Sequence, residues 1–155
     1  TYSGTVAGAK EGMLLGVRSI ALSQAFGWTS TSRVDFAPAR RFGPEVVRRL
    51  AGAELPPDTL VNVNFPDCPP DEVKGIRVTV QGKRDQGLLF VDERQDGRGH
   101  PYYWIGFERR RSDPPPGTDL HAVYGGWVSV TPLRLDLTAR GATGSLERAF
   151  GAADG

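Results

Sequence analysis

The sequence has little of what several protein classes require. It holds a single cysteine, Cys68, among 155 residues, so no disulfide can form within the chain. No cysteine pair and no His-x-His pattern offers a zinc site. A lone thiol is typical of proteins in a reducing compartment, and we expect a cytoplasmic location. No apolar run approaches the roughly 18 residues of a membrane span, so no membrane association is expected.

An excess of charge of either sign is also missing. Lysine and arginine number 19 against 18 acidic residues, which leaves a net charge of +1. Proteins that bind nucleic acid polymers usually carry a strongly basic surface, so we expect no such partner. Arginine pairs and triplets do occur, but they are interpreted as solvated turns and helix faces. The 39% hydrophobic content suits one globular domain with a real core.

The first half of the chain alternates helical and strand patterns. Residues 3–15 predict a helix, and the apolar run 17–23 predicts a buried parallel strand. A second helix is predicted over about 39–51, where Pro44 either interrupts the helix or marks its true first turn. Residues 60–65 and 75–80 show the two-residue alternation of strands. Helices that alternate with strands in this way predict an α/β fold.

The second half predicts an arm and a closing segment. Strands over 88–91 and 102–107, joined by a long turn over 92–101, are expected to form an antiparallel hairpin outside the main sheet. A rigid Pro-rich linker over 113–117 leads to a short helix capped by Thr118 or Asp119 and to a strand over 127–131. Residues 141–150 predict a last helix.

The candidate functional residues are Ser3, Gly4 and Thr5, at the predicted start of the first helix. Unpaired backbone N–H groups and the positive end of the helix dipole attract an anion there. Two hydroxyl groups add donors, and glycine permits close approach, so phosphate can be held without a lysine. Ordinary helix capping explains the same residues, and this motif alone does not decide between the two. Glycines at positions 4, 8, 12 and 16 share a ridge that predicts close contact with another backbone.

Other combinations of reactive residues are weaker. A Ser3, Asp119 and His121 triad can be written down, but the sequence gives it no geometry. Asp92, Glu93 and Asp96 lack the spacing of a known metal-binding loop, and a solvated turn explains them better. Residues alone therefore indicate an α/β domain with a possible anion site.

Several ordered stretches resemble the SurE family of survival-protein nucleotidases. They are Tyr2-Ser3-Gly4-Thr5-Val6 with Glu11-Gly12 and Gly16, residues 60–66 (LVNVNFP), 74–79 (KGIRVT), 102–106 (YYWIG), Gly117-Thr118-Asp119, and 128–133 (VSVTPL) with Asp136-Leu137-Thr138. The resemblance covers nearly the whole chain. It implies a Rossmann-like SurE fold of three α/β/α layers with an extended β-hairpin arm, of which the N-terminal part is absent.

The same resemblance implies a division of the chain. All 155 residues are expected to belong to one SurE-like domain. Residues 1–82 or so would form the α/β core portion, about 83–116 the hairpin arm and linker, and about 117–155 an oligomerisation element. The expected assembly is a homodimer or homotetramer.

The resemblance also implies an activity, a cofactor and a site. The family hydrolyses nucleoside 5′- and 3′-monophosphates with a divalent cation such as Mg²⁺ or Mn²⁺. Ser3, Gly4 and Thr5 match the motif that borders its phosphate site. The family's metal ligands, an Asp-Asp pair, a Ser and an Asn, would lie before Thr1. We therefore expect the 155-residue chain alone to lack activity. The alternative is a non-catalytic fragment that binds nucleotide and assembles into oligomers.

Overall fold

Helices and strands alternate along most of the chain. The computed structural model describes residues 3–27, 34–83, 89–107 and 112–151. The elements are, in order, α1 (Gly4–Leu14), β1 (Ile20–Gln24), α2 (Ala37–Ala51), β2 (Thr59–Phe65), a 3₁₀ helix (Pro70–Glu72), β3 (Ile76–Val78), β4 (Leu89–Gln95), β5 (Pro101–Phe107), α3 (Asp119–Tyr124), β6 (Val128–Arg134) and α4 (Arg140–Phe150).

Four of these strands form one mixed sheet in the order β1-β2-β6-β3. β1 runs parallel to β2, and β3 runs parallel to β6. The central pair is antiparallel, with Asn62 of β2 opposite Thr131 of β6. Two parallel pairings and flanking helices confirm the predicted α/β class.

One face of the sheet packs against α2. The alternating residues Val61, Val63 and Phe65 of β2 are almost fully buried there, together with Val46 of α2. Val128 and Val130 extend the same cluster across β6. Burying each of these side chains contributes about 1.5–3 kcal/mol, so this cluster is the main source of stability in the described residues.

The opposite face carries the second helical layer. Because strand side chains alternate, buried Leu60 and Ala21 point away from the α2 cluster. Helices α1 and α3 supply buried side chains outside that cluster, namely Val6, Met13, Ala122 and Val123. The sheet therefore lies between two helical layers, as the three-layer prediction requires.

The first strand starts later than predicted. Gly16 takes a left-handed backbone with φ of 76°, and the N–H of Val17 donates to the carbonyl of Gly12. These are the features of a Schellman cap, in which the residue after the left-handed glycine closes the helix. Val17 therefore belongs to the end of α1, and β1 begins only at Ile20.

The second helix also differs from its prediction. It begins at Ala37, whose N–H donates to Asp35 Oδ1 at 2.8 Å, and Pro38 lies in its first turn. Pro44 lies inside the helix and does not mark its first turn, so that alternative was wrong. The exposed side of the helix accommodates the proline while Val46 keeps its place in the core.

A guanidinium group joins the start of β1 to the end of α2. Arg18 Nη1 donates to the carbonyl oxygens of Leu50, Ala51 and Ala53 at 3.1, 2.7 and 3.0 Å. The last carbonyls of a helix have no partner within the helix, and a cation is favourable at that end. Arg18 therefore closes α2 and fixes it to the beginning of the neighbouring strand.

The glycine ridge of α1 makes only one close contact. A Cβ added at Gly12 would lie 2.5 Å from Ser19 Oγ, which places the end of α1 close to the turn into β1. Around Gly4 and Gly8, no described heavy atom lies within 4 Å of the added Cβ. The neighbour that the ridge predicts, a sheet or a partner helix, is therefore not supplied at Gly4 and Gly8 by the described part of the chain.

The hairpin arm forms a separate two-stranded sheet, as predicted. β4 and β5 pair from Leu89 opposite Phe107 to Gln95 opposite Pro101. The strands extend further than expected, so the turn occupies only residues 96–100. Both faces expose large apolar side chains, including Val91, Tyr103, Trp104 and Ile105 at 59–64%.

The closing segment follows its prediction closely. Thr118 caps α3 by accepting from the N–H of His121, and β6 continues past the predicted end to Arg134. The last helix, α4, buries no residue within the described chain. None of the described helices combines the length and apolarity that crossing a lipid bilayer requires.

Candidate functional site

The start of α1 is organised by Ser3. Its hydroxyl oxygen accepts from the N–H of Val6 at 3.2 Å, and its carbonyl accepts from the N–H of Ala7 at 2.9 Å. The backbone of Ser3 is extended, with φ of −89° and ψ of 114°, as an N-cap requires. The capping interpretation of Ser3 is thus confirmed, and a hydroxyl that accepts a bond in this way still carries a hydrogen of its own to donate.

Two of the first helical N–H groups remain free for a ligand. The amides of Gly4 and Thr5 have no hydrogen-bond partner among the described residues, and both residues are exposed. The first turn contains no acidic side chain that would compete for them. Open space surrounds Gly4 where a side chain would stand. Two amides and two hydroxyls therefore face solvent at the positive end of the helix dipole, an arrangement that suits an anion.

This helix start lies at the edge of the sheet where β1 and β2 end. The contact of Gly12 with Ser19 shows that the end of α1 adjoins the start of β1. The 11 residues of α1 and the five of β1 both span about 16 Å. Because α1 runs back along the strands, Ser3 lies level with the carboxyl ends of β1 and β2. In α/β sheets, ligands bind in the crevice outside such strand ends.

Gln24, the last residue of β1, joins three segments at this edge. Its Nε2 donates to the carbonyl oxygens of Ala25, Phe65 and Pro66 at 3.1, 3.4 and 2.8 Å. Its Oε1 accepts from the N–H of Ala39, in the first turn of α2, at 3.3 Å. The ends of β1 and β2 and the start of α2 thus meet at one side-chain amide.

An open depression lies beside that first turn of α2. Val34, Asp35, Phe36 and Arg40 line it. Arg40 Nη2 lies 3.8 Å from Asp35 Oδ1, and both side chains are largely exposed. An exposed ion pair of this kind contributes little to stability.

Comparison with known proteins places the chain in a family. Residues 1–87, more than half of it, match the family model described as "Survival protein SurE". The chain belongs to the SurE family. A "5'-nucleotidase SurE" from Parvibaculum lavamentivorans is 52% identical over 151 residues, which are 97% of this chain and 54% of that protein. One from Bradyrhizobium sp. (strain ORS 278) is 54% identical, over 94% of this chain and 58% of its own.

A solved structure agrees with the SurE assignment. The crystal structure of the SurE protein from Aquifex aeolicus is 39% identical and covers 96% of this chain, with a TM-score of 0.71. The match covers 58% of that protein. The chain therefore spans about half the length of the SurE relatives it matches.

The other candidate groups in this SurE chain do not form a site. No hydrogen bond in the described chain joins Ser3, Asp119 and His121, because Asp119 Oδ1 instead accepts from the amides of Gly82 and Leu120. Asp92 pairs with Arg94 on one strand of the arm, and Asp96 accepts from backbone amides in its turn. These acidic groups serve the structure of the SurE arm and the loop before α3.

The described residues do not fit the metal that the SurE resemblance implies. Across residues 3–27, 34–83, 89–107 and 112–151, no three His, Cys, Asp or Glu side chains lie where they could share a metal ion. Ser3, Gly4 and Thr5 themselves offer donors to an anion and no carboxylate.

The single thiol of this SurE chain is not activated. Burial raises the pKa of Cys68, and the carboxylates of Glu72 and Asp67 raise it further, against a smaller opposing effect of Lys74. The thiol therefore stays protonated at neutral pH, and only the thiolate is a nucleophile.

The sequence alone did not identify Gln24. Gln24 follows the apolar run of β1. A polar residue at the last position of a strand is the one sequence feature that could have drawn attention to it. Such residues are common, so only the four hydrogen bonds in the SurE chain distinguish Gln24 from an ordinary strand end.

Proposed function

We propose that the protein hydrolyses the phosphate ester of nucleoside 5′- and 3′-monophosphates when the chain is extended by the family's preceding segment. One observation carries the proposal: curated relatives that are 52–56% identical over most of this chain are named "5'-nucleotidase SurE". The anion-suited start of α1 lies within the region that matches the family model, and it supports the same reaction.

The described residues bind the phosphoryl group in this proposal. The amides of Gly4 and Thr5 and the hydroxyls of Ser3 and Thr5 donate to its non-bridging oxygens. Charge shifts among these oxygens while the phosphoryl group leaves, so donors fixed beforehand stabilise the transition state without reorganising. Because Ser3 is held by its own capping bond to Val6, its hydroxyl is already oriented at the helix start.

The proposed reaction requires a divalent cation, Mg²⁺ or Mn²⁺. Its ligands are proposed to precede Thr1, since the described residues do not supply a cluster of metal-binding side chains. A bound cation would neutralise phosphate charge and polarise the reacting oxygens. The general acid and base are not assigned to any described residue.

A phosphate-release assay tests the proposal. The 155-residue chain and a form extended before Thr1 are incubated with nucleoside monophosphates, with Mn²⁺, with Mg²⁺ and with EDTA. We expect turnover only by the extended form and only with a cation. Turnover by the short chain would show that the ligands are misplaced. Binding of nucleotide without turnover by the extended form would favour the non-catalytic alternative.

The protein is also proposed to be a homodimer or homotetramer in the cytoplasm. The arm exposes apolar side chains on both faces, and one chain can cover only one of them. A second subunit would remove the other face from water. A single cysteine and the absence of any disulfide within the chain suit a reducing cytoplasm.

A further inference from the structure

We propose that Gln24 is a positioning residue that sets substrate binding at the carboxyl edge of β1 and β2. The inference rests on the proposed phosphatase activity. Gln24 touches no part of the candidate phosphate site itself. It holds the ends of β1 and β2 to the first turn of α2, at the edge of the sheet where α1 also starts.

The bonding of Gln24 uses the whole side-chain amide. Three backbone carbonyls meet its Nε2 and one backbone amide meets its Oε1, at 2.8–3.4 Å. These backbone groups belong to the end of β1, the end of β2 and the first turn of α2. The N–H groups at a helix start, such as that of Ala39, have no partner within the helix, so each must be bonded by a side chain or by water. The carbonyl of Phe65 also accepts from the N–H of Ala25 at 2.9 Å.

The location of these hydrogen bonds distinguishes Gln24 from side chains whose hydrogen bonds only stabilise the fold. Gln24 faces α2, because it is opposite Phe65 in the sheet and Phe65 belongs to the α2 cluster. Ser3 starts the helix on the other side of the same sheet edge. The strand ends that Gln24 fixes therefore lie between the two helix starts, and the depression lined by Phe36 and Arg40 flanks its partner Ala39.

The chain supplies a matched control at the opposite edge. Arg18 also binds three carbonyls and also joins β1 to α2, but it does so where β1 begins and α2 ends. Both side chains serve stability, so losing either lowers the melting temperature. Of the two, Gln24 is the one at the sheet edge where α1 and α2 start, so only its loss should change how substrate binds.

The experiment compares Gln24→Met and Arg18→Met in the form extended before Thr1. Melting temperature, kcat and KM for a nucleoside monophosphate, and inhibition by inorganic phosphate are measured well below both melting temperatures. We expect Gln24→Met to raise KM by about tenfold, because a small displacement of positioning groups costs one to two powers of ten in rate or affinity. Arg18→Met should leave kcat/KM within about twofold of the wild type.

A second variant keeps the test decisive if Gln24→Met does not fold. Gln24→Glu keeps the acceptor for the Ala39 amide and removes the donors to the three carbonyls, so it should also raise KM. Unchanged KM in either folded Gln24 variant overturns this inference while leaving the proposed activity intact. If Arg18→Met lowers kcat/KM as much as Gln24→Met does, then Gln24 contributes only to the stability of the fold and does not set substrate binding. A wild-type extended form without phosphatase activity would overturn the proposed function, and this inference with it.

Discussion

Among single residues, Gly4 allows the two roles of the α1 start, helix formation and phosphate binding, to be tested separately. In the extended form, Gly4→Ala should leave the melting temperature unchanged or slightly higher, because the added Cβ meets open space and alanine favours helix. The same methyl group would stand where the proposed phosphate binds, so kcat/KM should fall about 10- to 100-fold. Steady-state kinetics and thermal unfolding measure the two effects.

Ser3→Ala is the companion variant to Gly4→Ala. It removes the cap bond to Val6 and should cost about 1 kcal/mol of stability. If Ser3 also binds phosphate, the rate falls by roughly a hundredfold as one transition-state donor is lost. If Gly4→Ala and Ser3→Ala both hydrolyse substrate at the wild-type rate and only Ser3→Ala loses stability, then Ser3 caps α1 and the start of α1 does not bind phosphate.

Asp96 gives the hairpin turn a pH dependence. The backbone amides of His100 and Arg98 donate to its carboxylate and lower its pKa below the ordinary 3.8. The folded turn thus favours the charged carboxylate. Its contribution to stability is complete above the unfolded pKa and is lost as pH falls through the lower folded pKa.

An NMR titration of the Asp96 carboxyl carbon should therefore give a midpoint below that of a peptide spanning residues 94–102. Asp96→Asn keeps an oxygen acceptor without a titrating group, so the amide signals of residues 98 and 100 should lose their acid transition. Equal midpoints in the protein and the peptide would contradict the hydrogen-bonded turn.

At the scale of elements, Pro44 is an unfavourable residue inside α2. A proline in a helix interior removes one backbone hydrogen bond and crowds the preceding turn. Pro44 is exposed, so its ring contributes little packing. Pro44→Ala should therefore raise the free energy of unfolding by about 1–3 kcal/mol.

Pro38→Ala provides the matched control for Pro44 in urea unfolding. Pro38 lies in the first turn, where its missing N–H would have no helical partner, and its ring is buried. That variant should lose stability. Stabilisation by Pro38→Ala, or none by Pro44→Ala, would show that the α2 backbone is organised differently.

Elements that depend on local chemistry were predictable from the sequence. The caps at Ser3 and Thr118 follow from hydroxyl residues before apolar periodic segments, and the arm follows from two apolar runs around a glycine-rich turn. The start of β1 was not predictable, since Val17 reads as strand until the left-handed backbone of Gly16 closes α1.

Features that depend on contacts between distant segments could not be predicted from the sequence. Pro44 is retained within a helix because the packing of Val46 in the core outweighs local preference. The ties of Gln24 to Pro66 and Ala39 join residues 42 and 15 positions apart, and no local pattern records them. The candidate anion site was predicted as a motif, whereas its location at the sheet edge required the packing of α1 on β1.

Assembly is the prediction at the scale of the whole molecule. Trp104 is 61% exposed and Tyr103 is 62% exposed on the opposite face of β5. Trp104→Asp in the extended form should shift the protein towards monomer, because an unpaired charge would have to be buried in the contact. Light scattering across micromolar concentrations measures the shift.

Gln95→Asp is the control for this assembly test. It introduces the same charge at the end of β4, opposite Pro101 and on the other face of the arm from Trp104, and should leave the assembly unchanged. A wild-type extended form that is monomeric at micromolar concentration would contradict the oligomer proposal. If both variants dissociate the oligomer, the contact between subunits is not centred on Trp104.

The pairing of β2 with β6 sets the timing of folding during synthesis. Asn62 and Thr131 are neighbours in the sheet, yet about 70 residues separate them in the chain. At about 5–20 residues per second, a ribosome needs some 3–14 s to make that stretch. Throughout this interval the most buried strand has one unpaired edge, whereas the two strands of the arm adjoin in sequence and are both made before β6. Nascent chains arrested before Val128 should therefore be cut by protease within β2 and bind a chaperone, and chains released beyond Arg134 should resist both.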